Sequence, residues 1–326
     1  MTKREALAAG RGNYLPTGPG VSGLGFSSGT GPGGFRPRRR SGAARLDIVE
    51  RNSGAAKRST SFGNSGEPVN ILLYVHETGE SNAPTILFLH GGATSGRMWQ
   101  PQLDDLTDYH CLAPDLPEHG QSHQAGPFTL QGAVESIADL IKELSSTGKA
   151  NLVGLSVGAA IGLELLQAQP DLVDRAILSG TTPRIGSGMK FFSELFYIPM
   201  LKLLPRDRLA KVVMKTGGIP PAYHDQFTSD LQYLNADLFR NVNRAMSQVE
   251  IPRGEVPPTL VLVGEKELGI SKRHARVICQ TVAGTTGKFV KGVGHAWNLE
   301  APDLFNQMVR CWLEDQPLPP ELQELK

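Results

Sequence analysis

The chain has 326 residues, of which 40% are apolar and 20% are charged, and this composition suits one large α/β domain or two small ones with a buried core. The net charge is +1, but residues 1–68 hold eleven Lys/Arg and four Asp/Glu, which leaves 22 Lys/Arg and 28 Asp/Glu in the remainder. The mildly acidic remainder argues against nucleic-acid binding, and the lack of an apolar run of about 20 residues argues against a membrane span.

Residues 1–68 are rich in glycine, proline and arginine and include the basic cluster Arg36-Pro37-Arg38-Arg39-Arg40. They hold too few apolar side chains to offset the entropy cost of ordering the chain. We therefore predict a disordered, solvated tail. An organelle transit peptide or a patch for anionic partners remains an alternative, although the early Lys3-Arg4-Glu5 and the missing amphipathic periodicity argue against a transit peptide.

Strand signals begin at Val69. The segments 69–75 and 85–89 are apolar, and the second is typical of a strand that is covered on both faces. His90-Gly91-Gly92 follow it, and the small residues Gly91 and Gly92 leave backbone N–H groups free to point into a cleft. Residues 110–115 predict another strand, and the spacing of apolar residues predicts an amphipathic helix over 130–144.

A buried strand that starts at Ala150 runs directly into a helix that ends near Gln169. The junction carries the pattern G-x-S-x-G, formed by Gly154, Ser156 and Gly158. The two glycines allow a turn sharp enough to expose the serine hydroxyl. Another strand is expected at 175–179, so strands and helices now alternate. We predict an α/β fold with a mostly parallel, doubly wound sheet flanked by helices.

The alternation is interrupted between residues 183 and 256. Helical segments are expected at 191–204, 209–214 and 231–246, and the first is rich in aromatic residues. We predict that 183–256 form a helical cap over the strand ends, and that 69–182 and 257–318 form the core. Strands at 259–263 and 288–290 and a helix at 304–313 complete that core.

Three reactive groups follow separate strands of the predicted sheet, at the edge where open α/β sheets build their sites. Ser156 needs a base to become a nucleophile, and His295 can take its proton and later return it. An acid must then orient the imidazole, and Glu267 is placed for this role. Glu265 lies two residues away and is the alternative acid.

From about Val69 to Leu313 the sequence resembles the α/β-hydrolase family, since serine, acid and histidine follow in that family's order. The resemblance implies an oxyanion hole formed by the backbone N–H groups of Gly92 and Val157. Many members carry Asp where this chain has Glu267. It also implies acyl transfer to water through an acyl-enzyme, without a cofactor.

Carboxylic-ester hydrolysis is the expected reaction because it is frequent in the family. Carbon-carbon bond hydrolysis, lactone hydrolysis and cofactor-free haloperoxidase chemistry resemble the same pattern. A different class of function is a non-catalytic ligand receptor on a hydrolase scaffold, which the intact serine, acid and histidine argue against.

Three aromatic residues are candidate substrate contacts, namely Trp99, Phe192 and Phe196, although aromatic side chains more often pack in a core. We expect structural roles for His90 and Asp115. The spacing of His119 and His123 is typical of a metal pair only on a helix, and Gly120 in a loop argues against one, so no metal site is expected.

Three cysteines, Cys111, Cys279 and Cys311, are an odd number without metal-ligand spacing. This pattern favours free thiols in a reducing compartment, so we expect a soluble, cytoplasmic protein. The expected partner is a small-molecule acyl substrate, with no nucleic acid, and the sequence sets no oligomeric state.

Overall fold

The computed structural model describes residues 58–62, 68–181, 183 and 187–325. Its strands are β1 Arg58–Phe62, β2 Pro68–Leu72, β3 Val75–Thr78, β4 Thr85–Leu89, β5 His110–Pro114, β6 Ala150–Leu155, β7 Val173–Ser179, β8 Glu255–Gly264, β9 Ala283–Val290 and β10 Leu322–Glu324. Its α-helices are α1 Gln100–Asp105, α2 Leu130–Leu144, α3 Val157–Ala168, α4 Ser187–Leu203, α5 Arg206–Gly217, α6 His224–Asp230, α7 Ala236–Gln248, α8 Gly269–Thr281, α9 Trp297–Glu300 and α10 Pro302–Leu313.

Eight strands form one sheet in the order β10-β9-β8-β7-β6-β4-β5-β3. The strands at the two edges, β3 and β10, pair antiparallel with their neighbours, and the remaining pairs are parallel. Parallel pairing needs crossover connections, which the helices between the strands supply. The predicted α/β class with a mostly parallel sheet is confirmed.

The central strands are mostly apolar because helices cover both faces of the sheet. In β4 the side chains of Leu87 and Leu89 pack into one core, and those of Ile86 and Phe88 pack into a second core on the opposite face. Successive side chains of a strand point to opposite faces, so a strand covered on both sides needs apolar residues at every position. Helices α2 and α3 contribute to the first core and α10 to the second.

Several elements differ from the sequence-based expectation. The predicted strand over 69–75 is interrupted at residues 73 and 74, which separate β2 from β3, and the predicted helix over 231–246 begins only at Ala236. Helix α8 and strand β10 were not expected. The polar end of the chain offers little apolar pattern, and Leu322–Glu324 become a strand by pairing with β9.

The predicted tail, residues 1–68, lies outside the described residues except for the stretch Arg58–Phe62 and Pro68. That stretch is not disordered, because β1 pairs antiparallel with β2 in a separate two-stranded sheet. Backbone hydrogen bonds to β2 supply the order that the local composition did not indicate.

Four helices, α4 to α7, separate β7 from β8 and form what we name the helical insertion, residues 187–248. It leaves the sheet at the carboxyl end of β7. The first residues of β8 belong to the predicted cap range of 183–256, since this strand starts at Glu255. No helix in the part of the chain that the structure describes is long and apolar enough to cross a bilayer.

Candidate active site

Ser156 stands at the junction of β6 and α3 in a backbone conformation that side chains rarely adopt, with φ 55° and ψ −111°. The glycines on either side make this turn possible. A Cβ on Gly154 would lie 2.7 Å from the Ala159 nitrogen, and one on Gly158 would lie 2.1 Å from the Leu89 oxygen. The strain holds the Ser156 side chain at the apex of the turn, which is typical of a nucleophile elbow.

The loop after β4 lies against this turn. A Cβ on Gly91 would be 3.7 Å from the Ser156 Cβ, and one on Gly92 would be 3.2 Å from a Val157 methyl group. Val157 begins α3, so its N–H is among the first-turn amides that have no acceptor within the helix. The two expected oxyanion donors, Gly92 and Val157, are therefore neighbours beside the serine.

His90 holds this loop from beneath. Its Nδ1–H donates to the Gly91 oxygen at 2.8 Å, and its Nε2 accepts from the Leu116 N–H at 2.9 Å. Complete burial is the main cause that lowers the pKa of His90 to about 3, so the ring is neutral and fixed in one tautomer. This placement agrees with the structural role that the sequence suggested.

Asp115 braces the neighbouring loop after β5. Its buried carboxylate accepts hydrogen bonds from the Gly96 and Gln121 N–H groups, both at 2.7 Å. Burial acts to raise the pKa of Asp115, but the hydrogen bond from His76 and nearby positive charge outweigh it, and the pKa is lowered. The carboxylate therefore stays ionised while it fixes two loops.

His295 and Glu267 form a hydrogen-bonded pair. The His295 Nδ1 lies 2.9 Å from the Glu267 Oε2, and the glutamate side chain is only 2% exposed, while that of His295 is 33% exposed. The other carboxylate oxygen accepts from the Gly264 N–H at 3.0 Å. A carboxylate only accepts hydrogen bonds, so Nδ1 carries the proton and Nε2 presents a lone pair.

Gly180 joins the serine to this pair. The Ser156 N–H donates to the Ser179 oxygen at 2.9 Å, and the next residue, Gly180, lies against the His295 ring. A Cβ on Gly180 would be 2.5 Å from the His295 Cε1 and 3.4 Å from the Glu267 Oε2. The Ser156 backbone and the His295–Glu267 pair thus both contact the carboxyl end of β7. The sequence showed no signal for Gly180 beyond its place after a strand.

Replacing Gly180 with Ala is expected to lower turnover by about 10²-fold, because the added methyl group must displace the His295 ring. Gly180 also has φ 66°, so alanine there strains the backbone by about 1–2 kcal/mol. Kinetics with an ester substrate, together with thermal unfolding, measure the two effects.

Gly126→Ala is the matched control for this substitution. Gly126 has φ 58°, but a Cβ there would meet nothing within 4 Å. The control should show the same backbone strain and unchanged turnover. Equal turnover in the two variants would mean that the position of the His295 ring does not limit the reaction.

Two further carboxylates hold the loop that carries His295. The Glu265 Oε2 accepts from the Gly292 N–H at 2.8 Å, and the Glu300 Oε2 accepts from the Gly294 N–H at 2.6 Å. Lys266 pairs with Glu300 at 2.7 Å. Glu265 therefore contacts the histidine loop through its backbone, whereas Glu267 contacts the imidazole itself.

A buried hydrogen bond ties the helical insertion to the loop after β4. The Ser95 hydroxyl donates to the Asp230 carboxylate, whose two oxygens lie 3.0 and 2.9 Å away. Asp230 is 7% exposed, and burial raises its pKa to about 6, against the opposing effect of the Ser95 hydrogen bond. These residues are 135 positions apart, so no local sequence pattern indicates the contact.

Asp230→Asn is expected to remove a pH dependence of stability. The folded-state pKa of Asp230 exceeds its unfolded value of 3.8, so its stabilising contribution is full below about pH 4 and is lost as the pH rises through about 6. Asn still accepts the Ser95 hydrogen bond. The variant should therefore gain about 3 kcal/mol relative to the parent between about pH 4 and pH 7.

Thermal unfolding across this pH range measures the difference between parent and variant. Asp225→Asn is the control, because Asp225 lies in the same helix and is exposed to solvent. Parallel pH curves for Asp230→Asn and its parent would show that Asp230 does not titrate in this window.

The three aromatic candidates for substrate contact have different placements. Trp99 is fully buried and packs against Phe88 and Phe305 in the core on one face of the sheet, which corrects the expectation that it touches substrate. Phe196 lies on α4 with 55% of its surface exposed. The side chain of Phe192 lies outside the described residues.

His119 and His123 are held by backbone oxygens. The His119 Nδ1 donates to the Pro117 oxygen at 2.9 Å, and the His123 Nδ1 donates to the Gly120 oxygen at 3.1 Å while its ring stacks on Tyr233. Among the residues whose placement is described, no group of three or more His, Cys, Asp or Glu could hold a metal ion.

Known proteins resemble this chain over most of its length. The model of the Alpha/beta hydrolase family matches residues 86–308. An AB hydrolase superfamily protein of Gibberella zeae is 32% identical over 248 residues, which cover 72% of this chain and 82% of that protein. The (E)-2-((N-methylformamido)methylene)succinate hydrolase of Acinetobacter baylyi is 25% identical over 271 residues, which cover 76% of this chain and 96% of that enzyme.

Solved structures show the same likeness. A thermophilic esterase from Thermogutta terrifontis, with malate bound, superposes with a TM-score of 0.65 over 79% of this chain and 97% of that chain. The two sequences are 22% identical, so this likeness shows the fold.

Proposed function

Since this chain belongs to the alpha/beta hydrolase family, we propose that it is a serine hydrolase that cleaves carboxylic esters through an acyl-enzyme intermediate. One observation carries the proposal. His295 is hydrogen-bonded through Nδ1 to the buried Glu267 and packs on Gly180, which follows the residue that binds the Ser156 amide. An imidazole held in this way near a serine can take the proton of the serine hydroxyl, which supports the proposal.

In the first half of the reaction Ser156 Oγ attacks the ester carbonyl carbon while His295 Nε2 takes its proton. Glu267 stabilises the resulting imidazolium and does not accept the proton itself. His295 then gives the proton to the alcohol oxygen as the carbon-oxygen bond breaks, which leaves the acyl group on Ser156. A water molecule gives a proton to His295 as its oxygen attacks the acyl-enzyme, and His295 returns that proton to Ser156 Oγ as the bond to the acyl carbon breaks and the acid leaves.

The negative charge of each tetrahedral intermediate needs fixed hydrogen-bond donors. We assign this role to the backbone N–H groups of Gly92 and Val157, which lie beside each other and beside Ser156. Such donors cost no reorganisation during the reaction, and one of them typically contributes a factor of about 10²–10³ in turnover. His90 keeps the Gly92 side of the pair in place.

We further propose that the helical insertion acts as a cap. Three contacts support this role: Gly218 approaches the His295 backbone nitrogen, Val242 approaches Gly92, and Asn241 donates to Glu118 at 2.9 Å. Each joins the insertion to a loop at the carboxyl edge of the sheet. The cap would then select the acyl or alcohol group of a small-molecule substrate.

A cytoplasmic location is part of the proposal. Cys111, Cys279 and Cys311 form no disulfide with one another among the described residues. Thiols of this kind persist in a reducing compartment.

Hydrolysis of chromogenic esters of increasing acyl length, with a lactone included in the panel, tests the proposed function. We expect steady turnover that peaks at one chain length. Fluorophosphonate labelling followed by mass spectrometry should place the adduct on Ser156. Folded protein that neither turns over any member of the panel nor takes the label would instead support a binding protein on this scaffold.

A further inference from the structure

An exposed apolar stripe runs along α4. Leu195 is 56% exposed and Leu203 is 79% exposed, and Phe196 and Pro199 are exposed between them. Residues separated by three, four, seven or eight positions share one helix face, so these four form a single row. Isolated exposed apolar residues are ordinary, whereas a contiguous row marks an interaction surface.

The next helix, α5, carries a cationic face. Arg208, Lys211 and Lys215 are exposed, and Val212 is exposed among them at helical spacing. Lys211 also pairs with Asp207. We name α4 and α5, two helices that follow one another in the chain, the helical hairpin, residues 187–217. It holds six Lys/Arg and two Asp/Glu, whereas the rest of the chain from residue 69 onward holds 16 Lys/Arg and 26 Asp/Glu. Two helices of net positive charge thus belong to a domain whose other residues are net acidic.

We propose that the helical hairpin docks on an anionic lipid bilayer, with the α4 stripe in the interface and the basic side chains against lipid headgroups. Apolar burial and attraction to acidic lipids are the two forces that hold amphipathic helices at a membrane surface. Helix α4 has 17 residues and includes Lys190, Glu194 and Lys202, so it suits a surface position.

Charge decides between the possible occupants of this surface. A second copy of the chain could cover the apolar stripe, but it would bring two hairpins of like net charge together. A bilayer with acidic lipids instead supplies the opposite charge over a wide, flat area. An acidic protein partner would be a separate explanation, and a lack of binding to every vesicle in the experiment below would favour it.

Docking would also place the candidate site near the lipid. The residue that follows the hairpin, Gly218, lies against the His295 loop, since a Cβ there would be 3.8 Å from the His295 nitrogen. The binding itself does not depend on the proposed hydrolysis, and it is measured without substrate.

Co-sedimentation of the full chain with phosphatidylcholine vesicles, with and without phosphatidylserine, tests the proposal. We expect binding to the vesicles that contain phosphatidylserine, and weaker binding to them at high salt. Leu203→Glu should lower the partition coefficient by about tenfold or more, because it removes a leucine that the bilayer would bury and adds a negative charge that the acidic lipids repel.

A charge-reversed variant and two controls complete the experiment. Lys202→Glu combined with Lys215→Glu should lower binding by a similar factor, whereas Lys142→Glu combined with Lys149→Glu, an equal charge change at two exposed positions away from α4 and α5, should lower it far less. A variant with Arg38, Arg39 and Arg40 replaced by Ser tests the basic tail. The proposal fails if no vesicle binds, if only the tail variant loses binding, or if the protein is a dimer that Leu203→Glu dissociates.

Discussion

Turnover of an ester substrate is expected to fall by about 10⁶-fold when Ser156 is replaced by Ala, because the acyl-enzyme can no longer form. Weak residual hydrolysis above that of water should remain, since the Gly92 and Val157 N–H groups would still bind the oxyanion. The fold should be preserved or stabilised. Alanine is smaller than serine, so it fits the same space, and the backbone keeps its strained φ of 55°.

The measurement combines turnover with fluorophosphonate labelling and thermal unfolding. Ser247→Ala is the matched control, because its exposed hydroxyl bonds only a nearby helix oxygen at 2.6 Å among the described contacts. That control should keep full turnover and full labelling. If Ser156→Ala retained more than about a hundredth of the turnover, a nucleophile other than Ser156 would have to be sought.

Much of the fold was predictable because local sequence determines it. Strands that are covered on both faces are apolar at most positions, and this pattern identified β4 and β6 directly. The turn at Ser156 was also predictable, because Gly154 and Gly158 stand on either side of it in the sequence and the structure has no room for a Cβ at either position. In such places the local pattern and the packed structure impose the same requirement.

The contacts that complete the candidate site were not predictable, because they join residues far apart in the chain. At Gly180 a Cβ would collide with the His295 ring, and no neighbouring residue in the sequence indicates this. Asp230 is one of two acids in a polar helix, and nothing distinguishes it from Asp225 until the fold places it beside Ser95. Trp99 stayed open between core packing and substrate contact for the same reason, since only its packing against Phe305 assigns it to the core.

The acid of the candidate triad gives the second large expected effect. Both oxygens of Glu267 are used: Oε2 accepts from His295 Nδ1 at 2.9 Å, and Oε1 accepts from the Gly264 N–H at 3.0 Å. In Glu267→Gln the single carbonyl oxygen can serve only one of these donors. If it faced His295, the amide NH₂ would point at the Gly264 N–H, and two donors would meet in a site that is 2% exposed.

The amide should therefore keep its oxygen on Gly264 and turn its NH₂ toward His295. Nδ1 must then accept a hydrogen bond, so the proton of the neutral imidazole moves to Nε2, which faces the reaction as a donor and cannot act as a base. We expect turnover to fall by about 10⁴-fold with the fold intact. Circular dichroism and thermal unfolding check the fold.

Glu265→Gln is the matched control, since it makes the same change two residues away. Glu265 contacts only the backbone of the histidine loop, at Gly292, and a glutamine oxygen can still accept that hydrogen bond. Its turnover should stay within about threefold of the parent, because an exposed interaction of this kind contributes little. A large loss for Glu265→Gln with a small one for Glu267→Gln would assign the acid to Glu265. Two small losses would mean that the tautomer of His295 is set by a group other than these two glutamates.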